Sequence, residues 1–572
     1  MAGYALVLAA VAVAVYASYR LLLPKPIPGI PYNEAASRSI LGDMPAMLSE
    51  GKEAGFSWLI SQASKRPGPL FQFFLGPFDK PFVLLTDYRE SRDILLRRKE
   101  WDRSDWSIDL MGGQVAKHHI NMKAGPAWKA HRRLLQDLMS PSFLNDVAAP
   151  NIYHSAEGLV RLWREKARVA EDRSFCTEAD VYYAALDAVL DFGFGESFPH
   201  RAIPHQQKLF ETMDANNADP LSKDSDVIEF EKAPIHETLE SMLRIADAIG
   251  AVADTGLTKL GWWWQNRQPA ERKAHGIRDT LVKQQVLMAK DRLLQEDGEA
   301  KNKIKSAIDL MVNREKTFAE KDGREPVFWS DDMRDEILGF VVAGHDTTST
   351  TLLWAAKYLT DSPDVQKKLR DALRSNHSNS YAEGRPPTYK EISSANCAYL
   401  EAFIEESLRL ANTVPVLERQ CDKDTVVLGH HLPKGTTLLM ATNGPSITEP
   451  SRQIDENLRS ESSRLAAKER DLREWSSHNP GAFFPERWLE KDPGSGGVSF
   501  NPQAGPTLPF GLGLRGCFGR KLAYLELRLM ITLLVWNFEF KPTPARLSGY
   551  EPVDGLTHKP KTSYVRLEPV KQ

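Results

Sequence analysis

Cys517 lies in the run Phe510-Gly511-Leu512-Gly513-Leu514-Arg515-Gly516-Cys517-Phe518-Gly519, where four glycines flank one cysteine within ten residues. Glycine adopts positive φ and lets a backbone approach a flat ligand closely. A helical pattern follows, with Leu522, Leu525, Leu529 and Leu533 on one face. Cys517 is therefore expected at a helix N-terminus, where the dipole favours an anion and lowers a thiol pKa. Arg515 adds positive charge nearby. A thiolate so placed suits a soft metal such as iron. A lone cysteine is more often a small buried hydrophobe. The glycines and the arginine move the reading to a ligand.

A second cluster, Ala343-Gly344-His345-Asp346-Thr347-Thr348, sits inside an amphipathic helical pattern over residues 337 to 356. Glycine inside a helix costs about 1 kcal/mol relative to alanine. Aspartate and threonine compete for backbone hydrogen bonds. A plain structural helix avoids this combination; a helix that widens to admit oxygen and water uses it. Three further groups lie at helical or turn spacing. Glu406 and Arg409 form an i, i+3 acid–base pair, with Arg487 downstream in Pro485-Glu486-Arg487-Trp488. Trp128 and Arg132, one turn apart, offer N–H donors on one face. Arg419 follows Pro415 by four residues.

In this order the segments resemble the motifs of the cytochrome P-450 family, from Trp128 to Gly519. Phe510, Gly513, Arg515, Cys517 and Gly519 fill the haem-loop pattern. The resemblance implies that Cys517 is the axial ligand to haem iron. It implies that Thr347 hydrogen-bonds dioxygen in the pocket while Asp346 relays protons from solvent. Trp128, Arg132 and, more loosely, Arg419 match propionate-binding positions. Glu406, Arg409 and Arg487 match the pair and partner that brace the haem loop. His345 falls at a variable position and reads as structural.

These groups need a scaffold. The 572 residues set a length prior of several domains, with ordinary composition and a formal net charge of −3. Nothing in that balance points to nucleic acid. The cysteines at 176, 397, 421 and 517 stand too far apart for a disulfide framework or zinc ribbon. Residues 4–19 are uncharged and apolar, and the run extends through Leu23 if Arg20 snorkels. No basic residue precedes the run, and Arg20 and Lys25 follow it. That order reads as an uncleaved anchor with the body in the cytosol. The expected organisation is a membrane anchor over 1–23, a stiff proline-rich hinge over 24–32, and one domain over 33–572. The fold implied is mainly α with a minor β-sheet region, the cytochrome P-450 fold.

Short strand-like runs appear at 71–74 and 82–86. The runs at 425–428 and 436–440 are expected to pair as a hairpin through Pro433, Lys434 and Gly435. The charge-rich stretch 449–474 reads as an exposed, partly helical insertion, longer than the family usually carries. Trp262, Trp263 and Trp264 read either as a partly buried helix or as a membrane-facing patch.

The resemblance implies a microsomal-type monooxygenase of the endoplasmic-reticulum membrane. It would insert one oxygen atom from dioxygen into a small apolar substrate. No glycine-rich dinucleotide motif follows a strand, so electrons are expected from NADPH through a separate flavoprotein reductase. The family's layout places the substrate pocket at 104–122, 210–230 and 414–417. The architecture is similar to that of fungal members that tailor secondary metabolites. A haem-thiolate isomerase or dehydratase is a second reading, and a haem sensor or electron carrier a third. Both are disfavoured by Asp346 and Thr347 beside Gly344.

Overall fold

The computed structural model describes every residue except 1, 52, 77–79, 197, 212, 214–224, 295–303, 470–473, 476–478, 492–496 and 572. Helix α1 (Ala2–Leu22) carries no buried side chain among those described and has a mean hydropathy of 1.9 over residues 3–22. That length and composition suffice to cross a bilayer core. The proline segment after it is not a free spacer. Gln72 grips it: its amide donates to the Ile27 and Ile30 carbonyls at 2.8 and 2.7 Å, and its oxygen accepts from the Ile27 N–H at 2.8 Å. Ile27 and Ile30 are buried against the sheet.

The remaining elements that shape the site are α2 (Tyr88–Arg97), α3 (Pro126–Leu135), α4 (Glu178–Phe194), α5 (Glu237–Ala253), α6 (Thr258–Gln265), α7 (Asp331–Asp361), α8 (Ala398–Ala411) and α9 (Arg520–Asn537). Helix α7 is the axis of the fold. Ser330 caps it by accepting the Met333 N–H, and Asp331 and Asp332 complement the dipole of its first turn. Most of its residues from Met333 to Thr360 are buried, and it packs most extensively against α4. A helix buried on nearly every face is a core helix, whatever polar groups it carries inward. Helix α9 enters the same core through Leu522, Leu525, Leu529 and Leu533.

One sheet of five strands covers the other side. Its order is β1 (Leu70–Phe73), β2 (Phe82–Leu85), β5 (Thr437–Ala441), β4 (Val416–Cys421) and β3 (Trp101–Asp102). The hairpin expected between the runs at 425 and 436 does not form. Thr425–Val427 instead pairs with His430–Leu432 across Leu428 and Gly429, both at positive φ. β5 leaves that turn to lie parallel to β2 and antiparallel to β4. All five of its residues are buried, so a tight two-stranded ribbon would have left them exposed.

The charged stretch is more tightly held than its composition implied. Within it, Glu456–Leu458 and Glu461–Glu469 are helical. Arg459 makes a buried ion pair with Asp87 at 2.8 Å, and Ser460 and Ser462 donate to Asp93. The insertion is thereby fastened over α2. The tryptophan triplet divides between the two readings. Trp262 is buried, donates to the Leu110 carbonyl at 2.8 Å and packs on Gly113, where any β-carbon would collide with the indole. Trp263 and Trp264 are exposed, beside Leu257 and Leu260.

Candidate active site

Helix α7, the loop before α9, β4 and α5 enclose a mostly apolar cavity of about 770 Å³. Cys517 opens into it. The loop is closed by its own backbone: the Cys517 N–H donates to Phe510 O at 2.8 Å and the Gly516 N–H to Gly513 O at 3.0 Å. Gly513 has φ +69°, and a β-carbon there would collide with the Leu95 carbonyl of α2. Gly513→Ala should therefore destabilise the loop by at least about 1–2 kcal/mol from backbone strain alone. The expected readout is faster haem transfer to apomyoglobin; an unchanged rate would mean that α2 yields.

Cys517 is accessible to the cavity while protein surrounds it on the other sides. Burial pushes its thiol up rather than down. The groups expected to stabilise a thiolate are present, namely the Gly519 and Arg520 N–H groups and the charges of Arg132 and Arg520. Desolvation outweighs them. An ion that binds the sulfur must therefore displace the proton itself.

At one end of the cavity the guanidiniums converge. Arg132 lies over the rings of Trp128 and Phe518, at 5.4 and 4.5 Å. Arg515 lies over Trp128 at 5.2 Å, donates to the Met122 carbonyl and pairs with Asp102 at 3.2 Å. Arg419 is buried on β4 and donates to the Glu418 carbonyl at 2.6 Å. Arg103, which sequence reading passed over, joins them and pairs with Glu418 at 2.5 Å. Burial first, and then their mutual repulsion, push Arg419 and Arg515 down to about 10. Arg103, Arg419 and Arg515 thus share the carboxylates Asp102 and Glu418, with Arg132 beside them, a charge excess matched to an anionic ligand.

On the opposite wall α7 is regular helix throughout, with no widening at Gly344. Gly344 instead makes room for Val189 of α4, whose methyl would lie 2.7 Å from a β-carbon. Thr347 faces the cavity and donates its hydroxyl to Ala343 O at 2.8 Å. Asp346 is buried behind it, beside Tyr182, with one carboxylate oxygen lacking a hydrogen-bond partner among the described residues. His345 is buried, its Nδ1 3.0 Å from Val341 O. Glu526 of α9 is a further group that the motifs did not include. It is fully enclosed, bonded to Thr348, and pushed by burial up to about 8. Its place on the leucine face, four residues after Leu522, was the available signal.

Beneath the loop, Glu406 of α8 is completely buried. It accepts from Arg409 at 2.8 and 2.9 Å, and from Arg487, the Phe484 N–H and the Trp488 indole, each at 2.9 Å. The pocket expectations fare unequally. Residues 106–120 and 414–417 supply lining side chains, including Trp106, Leu110, Val414 and Leu417. Residues 212 and 214–224 of the range 210–230 lie outside the described residues. Phe230 packs on both Phe210 and Phe175 in the core, and neither Phe210 nor Phe230 lines the cavity. Helix α5 takes that wall instead, through Ile245, Ile249 and Ala253.

A family model for cytochrome P-450 matches residues 47–444 and 464–566, the gap at 445–463 overlapping the charged insertion. The chain belongs to the cytochrome P-450 family. It is 39% identical to the cytochrome P-450 monooxygenase TRI13 of Fusarium sporotrichioides, covering 97% of this chain and 98% of that one. It is 38% identical to the cytochrome P-450 monooxygenase GME11363 of Pestalotiopsis microspora, covering 96% and 95%. A crystal structure of a cytochrome P-450 (CYP102L1) superposes with a TM-score of 0.65 over 96% of this chain and 100% of that one, at 17% identity. The cytochrome P-450 is thus an oxidoreductase of the monooxygenase class whose cofactor is haem. The residues present fit that cofactor: the cavity offers a thiol from a glycine loop and, beside it, an excess of guanidinium charge.

Proposed function

We propose that this chain is a membrane-anchored monooxygenase that inserts one atom of dioxygen into a small apolar substrate, with electrons from NADPH through a separate flavoprotein reductase. The observation that carries the reading is one apolar cavity faced by Cys517, by the arginine cluster and by Thr347. In this reading Cys517 would hold the haem iron through its sulfur, and Phe510 and Gly513 would shape its loop. Trp128, Arg132, Arg419, Arg515 and Arg103 hold the propionates. Haem, when bound, supplies dioxygen activation, and a thiolate ligand pushes electron density toward the iron. Thr347 then positions a hydroxyl for proton delivery, and Asp346 stands behind it as the group that exchanges protons with solvent.

The organisation we assign is an anchor over 1–23, a proline segment over 24–32 and the catalytic domain over 33–572. Helix α1 holds the chain in the endoplasmic-reticulum membrane with the domain on the cytosolic side. Trp263 and Trp264 present an apolar surface to the same bilayer. Lys129, Arg133, Arg520 and Lys521 are exposed and offer a basic face to an acidic reductase. The named relatives from fungi support a role in fungal secondary metabolism.

The test is reconstitution with a reductase. Substrate-dependent NADPH consumption with an oxygenated product is expected. Product without NADPH would favour an isomerase, and no turnover with any apolar candidate would favour a haem carrier. Thr347→Ala should keep haem and its carbon-monoxide spectrum while product per NADPH falls about tenfold or more, the lost electrons appearing as peroxide. An unchanged product-to-NADPH ratio would remove Thr347 from proton delivery.

A further inference from the structure

Beside the haem cavity, four side chains converge without any role in the proposed reaction. His118 and His119 come from the segment after Val115, His131 from α3, and Glu336 from the second turn of α7. His119 Nδ1 lies 2.8 Å and His118 Nε2 3.4 Å from Glu336 Oε2, while His131 Nδ1 lies 2.7 Å from Oε1. The donor atoms of His118, His119 and Glu336 all fall within 4.8 Å of one another. Glu336 is fully buried, and His118 and His131 nearly so.

We propose that His118, His119, His131 and Glu336 form a binding site for a divalent transition-metal ion of the zinc type, separate from the haem. Three imidazoles and one carboxylate are a zinc donor set, and three separate elements supply them in advance of binding. Zinc bonds of about 2.0–2.2 Å in a tetrahedron put ligand atoms roughly 3.3 Å apart. At Oε2 the His118 contact already has that separation and the His119 ring must withdraw by about half an ångström; His131, which meets the other oxygen, Oε1, has to swing toward them to complete the set.

Two surrounding features fit the assignment. Gly339, three residues after Glu336, leaves α7 notched where the His118 ring lies, and any β-carbon would strike that ring. His131 turns its other nitrogen, Nε2, toward Asp332 at 3.6 Å, the carboxylate–histidine arrangement that orients a metal ligand.

Each ring now directs its inner nitrogen at Glu336 as a donor. On metal binding that proton moves to the outer nitrogen: toward Asp332 for His131, and into the cavity for His119. His118 gives up its 3.4 Å contact with the Ile120 N–H. If His131 enters carrying both protons, one leaves to solvent. The ion would tie α3, which carries Trp128 and Arg132, to α7.

The experiment uses untagged, haem-loaded full-length protein, stripped with chelator and then given one equivalent of Zn²⁺. After desalting, atomic emission should give roughly one zinc per haem, and zinc-edge absorption should show nitrogen and oxygen ligands only. His119→Asn retains an amide donor toward Glu336 but removes a ligand, so the fold is kept; its zinc affinity should fall at least about tenfold. Glu336→Gln should fall further. Zinc should also raise the melting temperature of the parent and not of His119→Asn. Substoichiometric zinc in the parent, or equal retention by His119→Asn, would overturn the site and leave the four residues as a hydrogen-bonded cluster.

Discussion

Cys517→Ser should abolish the red-shifted Soret band of the reduced, carbon-monoxide-bound protein. Serine is nearly isosteric, and the bond that closes the loop, from the residue 517 N–H to Phe510 O, does not involve the side chain. The fold should therefore persist, with an unfolding midpoint close to the parent's. What disappears is the soft anionic ligand, because an alcohol gives up its proton far less readily than a thiol. The environment sharpens the expectation. Burial already disfavours the thiolate of Cys517, so a harder oxygen in the same place has less prospect of ionising. The loss should be complete rather than partial. A band surviving in the serine variant would mean that another residue ligates iron.

Glu406→Gln should unfold the protein or leave it unable to retain haem. The carboxylate receives five N–H bonds from Arg409, Arg487, Phe484 and Trp488, all in the interior. Glutamine has the right shape, but its NH₂ faces donors and its neutrality leaves two guanidiniums without a counter-charge. Breaking one side of a buried ion pair costs about 3–5 kcal/mol. A folded domain has a total margin of only about 5–15 kcal/mol. Arg409 also donates to the Ile447 carbonyl at 2.7 Å, so the damage spreads from α8 to the segment after β5. Urea denaturation followed through haem absorbance should show a midpoint far below the parent's. A shift equivalent to under about 1 kcal/mol would reduce the cluster to the standing of a surface pair.

These two sites differ in how they could be read. The Cys517 loop is legible as sequence because backbone demands select glycine locally, at Gly513 by positive φ and by contact with Leu95. The Glu406–Arg409 pair looks like any solvated i, i+3 pair until Arg487 is brought against it. Only the family pattern lifted it above that background. Asp346 and Thr347 were adjacent in the reading, yet the helix turns them apart. Successive residues are separated by about 100° around the axis, so one faces the cavity and its neighbour faces Tyr182.

The errors share a cause. The run at 436–440 was correctly seen as strand but paired with its nearest neighbour. Its five buried residues required a central position between β2 and β4, and β2 lies over 350 residues away in sequence. The range 210–230 was placed by counting along the family's layout. Helix Ile203–Glu211 instead turns Phe210 into the core, and α5 becomes the cavity wall. The proline segment reads as a stiff spacer from its own residues, but that Gln72 clamps it is a tertiary contact that nothing local marks.

The sequence by itself determined the haem-loop cysteine, the apolar first helix, the helical class and the motif order, because each is written in local spacing and periodicity. Tertiary structure alone decided which charges are neighbours. It gathered Arg103, Arg132, Arg419 and Arg515 from four parts of the chain, and three histidines around Glu336. It also reversed the expected lowering of the Cys517 thiol. The reason is physical: a helix N-terminus and a nearby arginine can be read along the chain, whereas desolvation depends on everything that folding packs around the sulfur.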